Sequence, residues 1–129
     1  MGDRNADAAA AALKGLRVLV LEDQLLIALD IRRRLESLGC SPIGPARDVE
    51  AALRLLEDDR PDAALLDENL AGAEAGPVAS ALSTLGVPFA LISGYARSPS
   101  TDATLAGAHR VTKPATTRSI CTALLAILP

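Results

Sequence analysis

The residues of this chain best placed to do chemistry stand at the ends of apolar runs. Ala63-Ala64-Leu65-Leu66 is short enough for one buried strand, and it delivers Asp67 and then stops. Arg17-Val18-Leu19-Val20-Leu21 ends in Glu22-Asp23, Phe89-Ala90-Leu91-Ile92 ends in Ser93-Gly94, and His109-Arg110-Val111-Thr112 ends in Lys113-Pro114. In a parallel sheet the carboxyl ends of all strands lie along one edge. An acidic pair, a lone aspartate, a hydroxyl and a lysine would meet there. Two unit charges about 4 Å apart repel by roughly 4 kcal/mol at an effective dielectric of about 20. A hard cation relieves that repulsion, and an all-oxygen site with open positions suits Mg2+. Asp67 could then act as a nucleophile and form an acyl phosphate. Lys113 and Ser93 would serve the phosphoryl oxygens, and Gly94, without a side chain, would leave access.

Each motif alone has a plainer explanation. Glu22-Asp23 could charge the start of a helix, and Asp67-Glu68-Asn69 could be a turn. Ser93-Gly94 could be a strand exit and Lys113-Pro114 a strand-to-helix corner. Their common placement at one sheet edge is what favours a site.

The elements that must position these groups alternate. The run Arg17–Leu21 is continuously apolar, as a strand covered on both faces is. Ala28, Ile31, Leu35 and Leu38 recur at helical steps and predict a helix from Gln24 to Leu38, with Gly39 ending it. Ser41-Pro42-Ile43-Gly44-Pro45 predicts a strand at the sheet edge, because proline cannot donate to a ladder. Asp48 is placed to cap a helix that buries Val49, Ala52, Leu53 and Leu56. Pro77 suits the first turn of a helix to Leu85. Residues 96–107, with Pro99 and several serines and threonines, predict a short or mobile helix. A closing helix from Thr116 to Leu128 would bury Ile120, Ala123, Leu124 and Ile127. Residues 1–15 read as a flexible, frayed leader, since Ala8–Ala12 favours helix but carries no apolar stripe. Residues 16–129 read as one domain. The alternation predicts an α/β fold, a five-stranded parallel sheet with right-handed crossovers and helices on both faces. Such doubly wound sheets bind ligands at the carboxyl ends of their strands.

Composition narrows the class. At 129 residues, half of them apolar, the chain can bury an aliphatic core. A formal charge of -3 gives no reason to expect nucleic acid, and Arg32-Arg33-Arg34 reads as a solvated helix face. Cys40 and Cys121 lack metal-ligand spacing and fit reduced core residues in a cytoplasm. Neither a membrane-length apolar run nor a signal pattern is present.

From about Leu16 to the C-terminus the chain resembles the receiver domains of two-component response regulators. Val20-Leu21-Glu22-Asp23, Pro61-Asp62-Ala63-Ala64-Leu65-Leu66-Asp67, Asn69, Ser93-Gly94 and Lys113-Pro114 carry the likeness in order. The resemblance implies a flavodoxin-like strand order 2-1-3-4-5. It implies that Asp67 accepts a phosphoryl group from a phosphohistidine on a sensor histidine kinase or histidine phosphotransferase. It further implies that Asp23 and Asp67 bind Mg2+ directly, with the Asn69 backbone carbonyl, and Glu22 through water. Ser93, Gly94, Tyr95 and Lys113 would form the switch, and the protein would catalyse only its own phosphoryl transfer and loss. More narrowly, the chain is similar to stand-alone alphaproteobacterial receivers that partner HWE-type kinases. Leu25-Leu26-Ile27-Ala28-Leu29-Asp30, Ile43-Gly44-Pro45-Ala46, Gly86-Val87-Pro88-Phe89 and Ser93-Gly94-Tyr95 carry that likeness, and the chain ends one helix after Lys113.

Two positions depart from the family pattern. Arg110 stands where an aromatic usually reports phosphorylation, and Ala115 where phenylalanine is common. Tyr95 is the nearest replacement, and residues 94–106 are expected to reorder in place of a ring rotation. Two other functions compete. A pseudo-receiver would bind a protein partner without phosphorylation, but the intact acids, Ser93 and Lys113 argue against it. A metal-dependent phosphatase or nuclease would want a second acid where Asn69 stands.

Overall fold

The computed structural model describes residues 4–70, 75–94, 105 and 107–129. Its centre is β3 (Ala63–Asp67), every residue of which is buried. A strand covered on both faces must be apolar throughout, and β3 is so until its last residue. β1 (Arg17–Leu21) and β4 (Phe89–Ser93) pair with it in parallel. β2 (Ser41–Ala46) and β5 (His109–Thr112) complete a five-stranded sheet in the order β2-β1-β3-β4-β5. The expected doubly wound order is observed, and β2 with its prolines lies at an edge.

Successive strand residues point to opposite faces, so one continuous apolar run feeds two cores. Val18, Val20, Ala63, Leu65, Ala90, Ile92 and Val111 build the first. Over it lie α2 (Leu25–Ser37), through Ile31 and Leu35, and α5 (Thr117–Ile127), through Ile120, Ala123 and Leu124. Leu19, Leu21, Ala64, Leu66 and Leu91 build the second. It is covered by α3 (Val49–Asp58), through Ala52, and α4 (Gly76–Leu85), through Val78, Ala79 and Leu82. Val49, Leu53 and Leu56 join it only partly buried.

The helix ends follow local chemistry. The Asp48 carboxylate accepts the Ala51 N–H at 2.8 Å, and Thr116 and Ser119 cap α5 reciprocally. Gly86 closes α4 at φ 73°, in the left-handed region that favours glycine. Gly44, at φ 93°, has a second constraint: a Cβ there would stand 2.6 Å from the Ala46 nitrogen. Cys40 is buried and unpaired, and burial pushes its thiol up to about 11.

The leader departs from expectation. Arg4–Leu13 forms helix α1, and Leu13 is buried in the first core, where α1 packs beside α5. Alanine-rich sequence needs little help to be helical, and one anchored leucine at the last turn provides it. Residues 1–3 and most of 96–107 fall outside the described residues.

Candidate functional site

The strand ends gather as the sequence implies. Glu22 and Asp23 leave β1, Asp67 ends β3, Ser93 ends β4, and Lys113 follows β5. Backbone ladders continue past the strands and fix this edge. The Glu22 N–H donates to the Ala46 carbonyl, that of Glu68 to Ile92, and that of Lys113 to Ser93 at 2.8 Å.

Asp67 is fully buried. Its Oδ1 accepts the Asn69 N–H at 3.0 Å and lies 2.9 Å from Lys113 Nζ. Ligand oxygens of Glu22, Asp23 and Asp67 all lie within 4.8 Å of one another. Glu22 Oε1 and Asp67 Oδ2 are buried with no hydrogen-bond partner among the described residues. Buried carboxylate oxygens without donors are costly, and an oxygen-only set of this size fits a small hard cation. Ser93 is buried and Gly94 exposed, with nothing described within 4 Å of a Cβ added there. Tyr95, and with it the expected reordering of 94–106, lies outside the described residues apart from Gly94 and Leu105.

Burial pushes the Glu22 carboxyl up from 4.5 to about 7; neighbouring Asp67 and Asp23 add to this, and the Gln24 N–H opposes it. Such a group stabilises the fold fully below its unfolded pKa and loses that contribution as pH rises through about 7. In a chelator, the melting temperature should therefore fall between pH 5.5 and pH 8, and Glu22→Gln should flatten the slope. An unchanged slope in the variant would assign it to other groups.

Sequence reasoning passed over one buried pair. Arg110 Nε lies 3.5 Å from Glu68 Oε1, with their side chains 10% and 6% exposed. Arg110 also donates to the carbonyls of Ala108 at 3.0 Å and Leu105 at 2.8 Å. The available signal was a charge inside a short strand beside a second acid after Asp67.

Beside the acids, α2 exposes Leu25 and Leu26, at 66% and 83%. Leu26 and Ile27 border a largely apolar groove of about 520 Å³ that reaches Lys113, Pro114 and Ala115.

A doubly wound sheet of this order, carrying these groups on its carboxyl edge, is the architecture of a response regulator receiver. No family model matches the chain. It is 36% identical over 88 residues to the phyllosphere-induced regulator PhyR of Methylorubrum extorquens, covering 66% of this chain and 33% of PhyR. The chain thus spans a third of that curated relative's length. Among solved structures, SdrG from Sphingomonas melonis Fr1 superposes with a TM-score of 0.74 at 36% identity, over 86% of this chain and 94% of SdrG. The signal receiver domain of NarL from Mycobacterium tuberculosis gives 0.72 at 31% identity, over 88% and 95%. The chain belongs to the response regulator receiver domain family. PhyR and SdrG bear out the likeness to alphaproteobacterial regulators. Among the described residues no helix is long and apolar enough to cross a membrane.

Proposed function

We propose that this receiver accepts a phosphoryl group on Asp67 from a phosphohistidine, with Mg2+, and signals through the resulting change of conformation. The observation that carries the reading is the state of the Asp67 carboxylate. One oxygen is held by the Asn69 N–H and Lys113, and the other is buried without a partner beside two more acids. A carboxylate so oriented is a nucleophile with its second oxygen available. A carboxylate oxygen of Asp67 bonds to phosphorus, the P–N bond of the donor breaks, and the imidazole leaves with the electron pair and takes a proton. Water later attacks the acyl phosphate, returning Asp67 and inorganic phosphate, so the protein turns over only its own phosphoryl group.

Asp23 and Asp67 would hold Mg2+ with the Asn69 backbone carbonyl, and Glu22 would serve through water. Bound there, Mg2+ supplies the positive charge that lets a phosphoryl group approach three carboxylates. Lys113 is close enough to transfer its charge from Asp67 to a phosphoryl oxygen. The donor must seat beside this edge. The exposed leucines of α2 and the apolar groove next to Lys113 suit a helix of a histidine kinase, such as an HWE-type kinase, or of a phosphotransferase.

The test is the intact mass after incubation with acetyl phosphate, with Mg2+ or with a chelator. One phosphoryl group per chain is expected with Mg2+ alone, labile to hydroxylamine as an acyl phosphate is. No uptake from acetyl phosphate or a phosphorylated kinase, with no Mg2+ binding, would leave a protein-binding module instead.

A further inference from the structure

Arg110 connects two parts of the molecule that the sheet keeps apart. It lies on β5 opposite Leu91 of β4, while Glu68 follows the last residue of β3 on the far side of β4. The guanidinium meets the Glu68 carboxylate and donates to the carbonyls of Leu105 and Ala108, which precede β5. The planar fork of arginine can serve a carboxylate and two carbonyls together; an ammonium has no such geometry. Glu68 cannot drift from the site, because its N–H is bonded to Ile92 at 3.0 Å and its neighbour is Asp67.

Resting on the reading of Asp67 as phosphoacceptor, we propose that the Glu68–Arg110 pair is a latch on the unphosphorylated state. It couples charge at Asp67 to the backbone entering β5. A phosphoryl group takes the charge at Asp67 from -1 to about -2. Glu68 directly follows Asp67, and Arg110 reaches it from β5 across β4. The added charge repels the Glu68 carboxylate and attracts the guanidinium, so it pulls the two partners of the contact in opposite directions. The favoured response moves the guanidinium toward the new charge and takes a donor from Leu105 and Ala108. An interaction that phosphorylation weakens must, when removed beforehand, strengthen phosphoryl binding by the same factor. This device reads charge, and the position carries no ring to rotate.

The experiment measures beryllofluoride affinity in saturating Mg2+ by calorimetry for the parent, Glu68→Gln, Arg110→Met and the double variant. Amide exchange at Leu105 and residues 107–110 is followed alongside. Each single variant should bind the analogue roughly fivefold tighter or more. The double variant should gain no more than one of them, because both remove one interaction. Exchange at Leu105 and residues 107–110 should rise in the parent on adding the analogue and be already raised in the variants. Should Arg110→Met fail to fold with Glu68 left unpaired, Glu68→Gln and the double variant carry the comparison. Unchanged or weaker affinity in those two, with the parent binding normally, overturns the latch alone. No analogue binding by the parent overturns the phosphoacceptor reading and the latch together.

Discussion

Asp67→Asn is expected to take up no phosphoryl group from acetyl phosphate and, in a chelator, to melt at a higher temperature than the parent. The first half follows from chemistry, since an amide oxygen is no nucleophile for phosphorus here. The second is a balance of charges. The variant loses the contact between Asp67 and Lys113, whose side chain is 28% exposed and so partly screened. It also loses a fully buried carboxylate and its repulsion from Glu22 and Asp23, within 4.8 Å. At 5 Å one such repulsion is about 3 kcal/mol at an effective dielectric of about 20, before relaxation. Desolvation of the buried charge adds to the relief. A net gain of about 1–2 kcal/mol is expected after relaxation, or roughly 3–8 °C for a domain of this size. Saturating Mg2+ should reverse the order. A cation at about 100 times its Kd stabilises the parent by about 2.7 kcal/mol, and the variant lacks one of the proposed ligands. Scanning calorimetry with and without Mg2+ reads both signs. Full phosphoryl uptake by the variant would move the acceptor to another carboxylate.

The parts of this fold legible from sequence were those whose signal is local. Val18–Leu21 and Ala63–Leu66 read as strands because burial on both faces demands unbroken apolar residues, and each polar terminus is visible as the break. The gathering of Glu22, Asp23, Asp67, Ser93 and Lys113 followed from strand direction alone, and their placement agrees with it. The docking of helix α1 on the core was not legible, although Ala8–Ala12 favours helix, because a single anchor at Leu13 makes no periodic stripe. The Glu68–Arg110 pair was missed for a related reason. No spacing rule links a residue after β3 to one inside β5, so Arg110 registered only as the lack of an aromatic. The raised pKa of Glu22 depends on how completely the fold closes over it, which residue types do not encode.

Lys113→Met should show the second large effect, on both phosphorylation and pH dependence. Methionine keeps the apolar length of the side chain, and the backbone N–H bond to Ser93 is indifferent to it. The substitution removes the positive charge 2.9 Å from Asp67 Oδ1. Loss of a positioned donor to developing phosphoryl charge typically slows reaction by about 10²–10³-fold, and the rate of acetyl phosphate uptake should fall on that scale. In a chelator at pH 8 the variant should also be less stable by about 1–3 kcal/mol. That is below the cost of stripping a fully buried ion pair, because the lysine is partly exposed. The loss should shrink at pH 6. There Glu22, with its carboxyl at about 7, is mostly protonated, so fewer negative charges are left without the lysine. Adding Asp67→Asn should recover most of the stability, since the lysine and the aspartate are coupled. It should restore none of the uptake. Parallel losses at pH 6 and pH 8 would mean that Lys113 does not share the field of the acidic cluster, and its role would reduce to contact with the phosphoryl group.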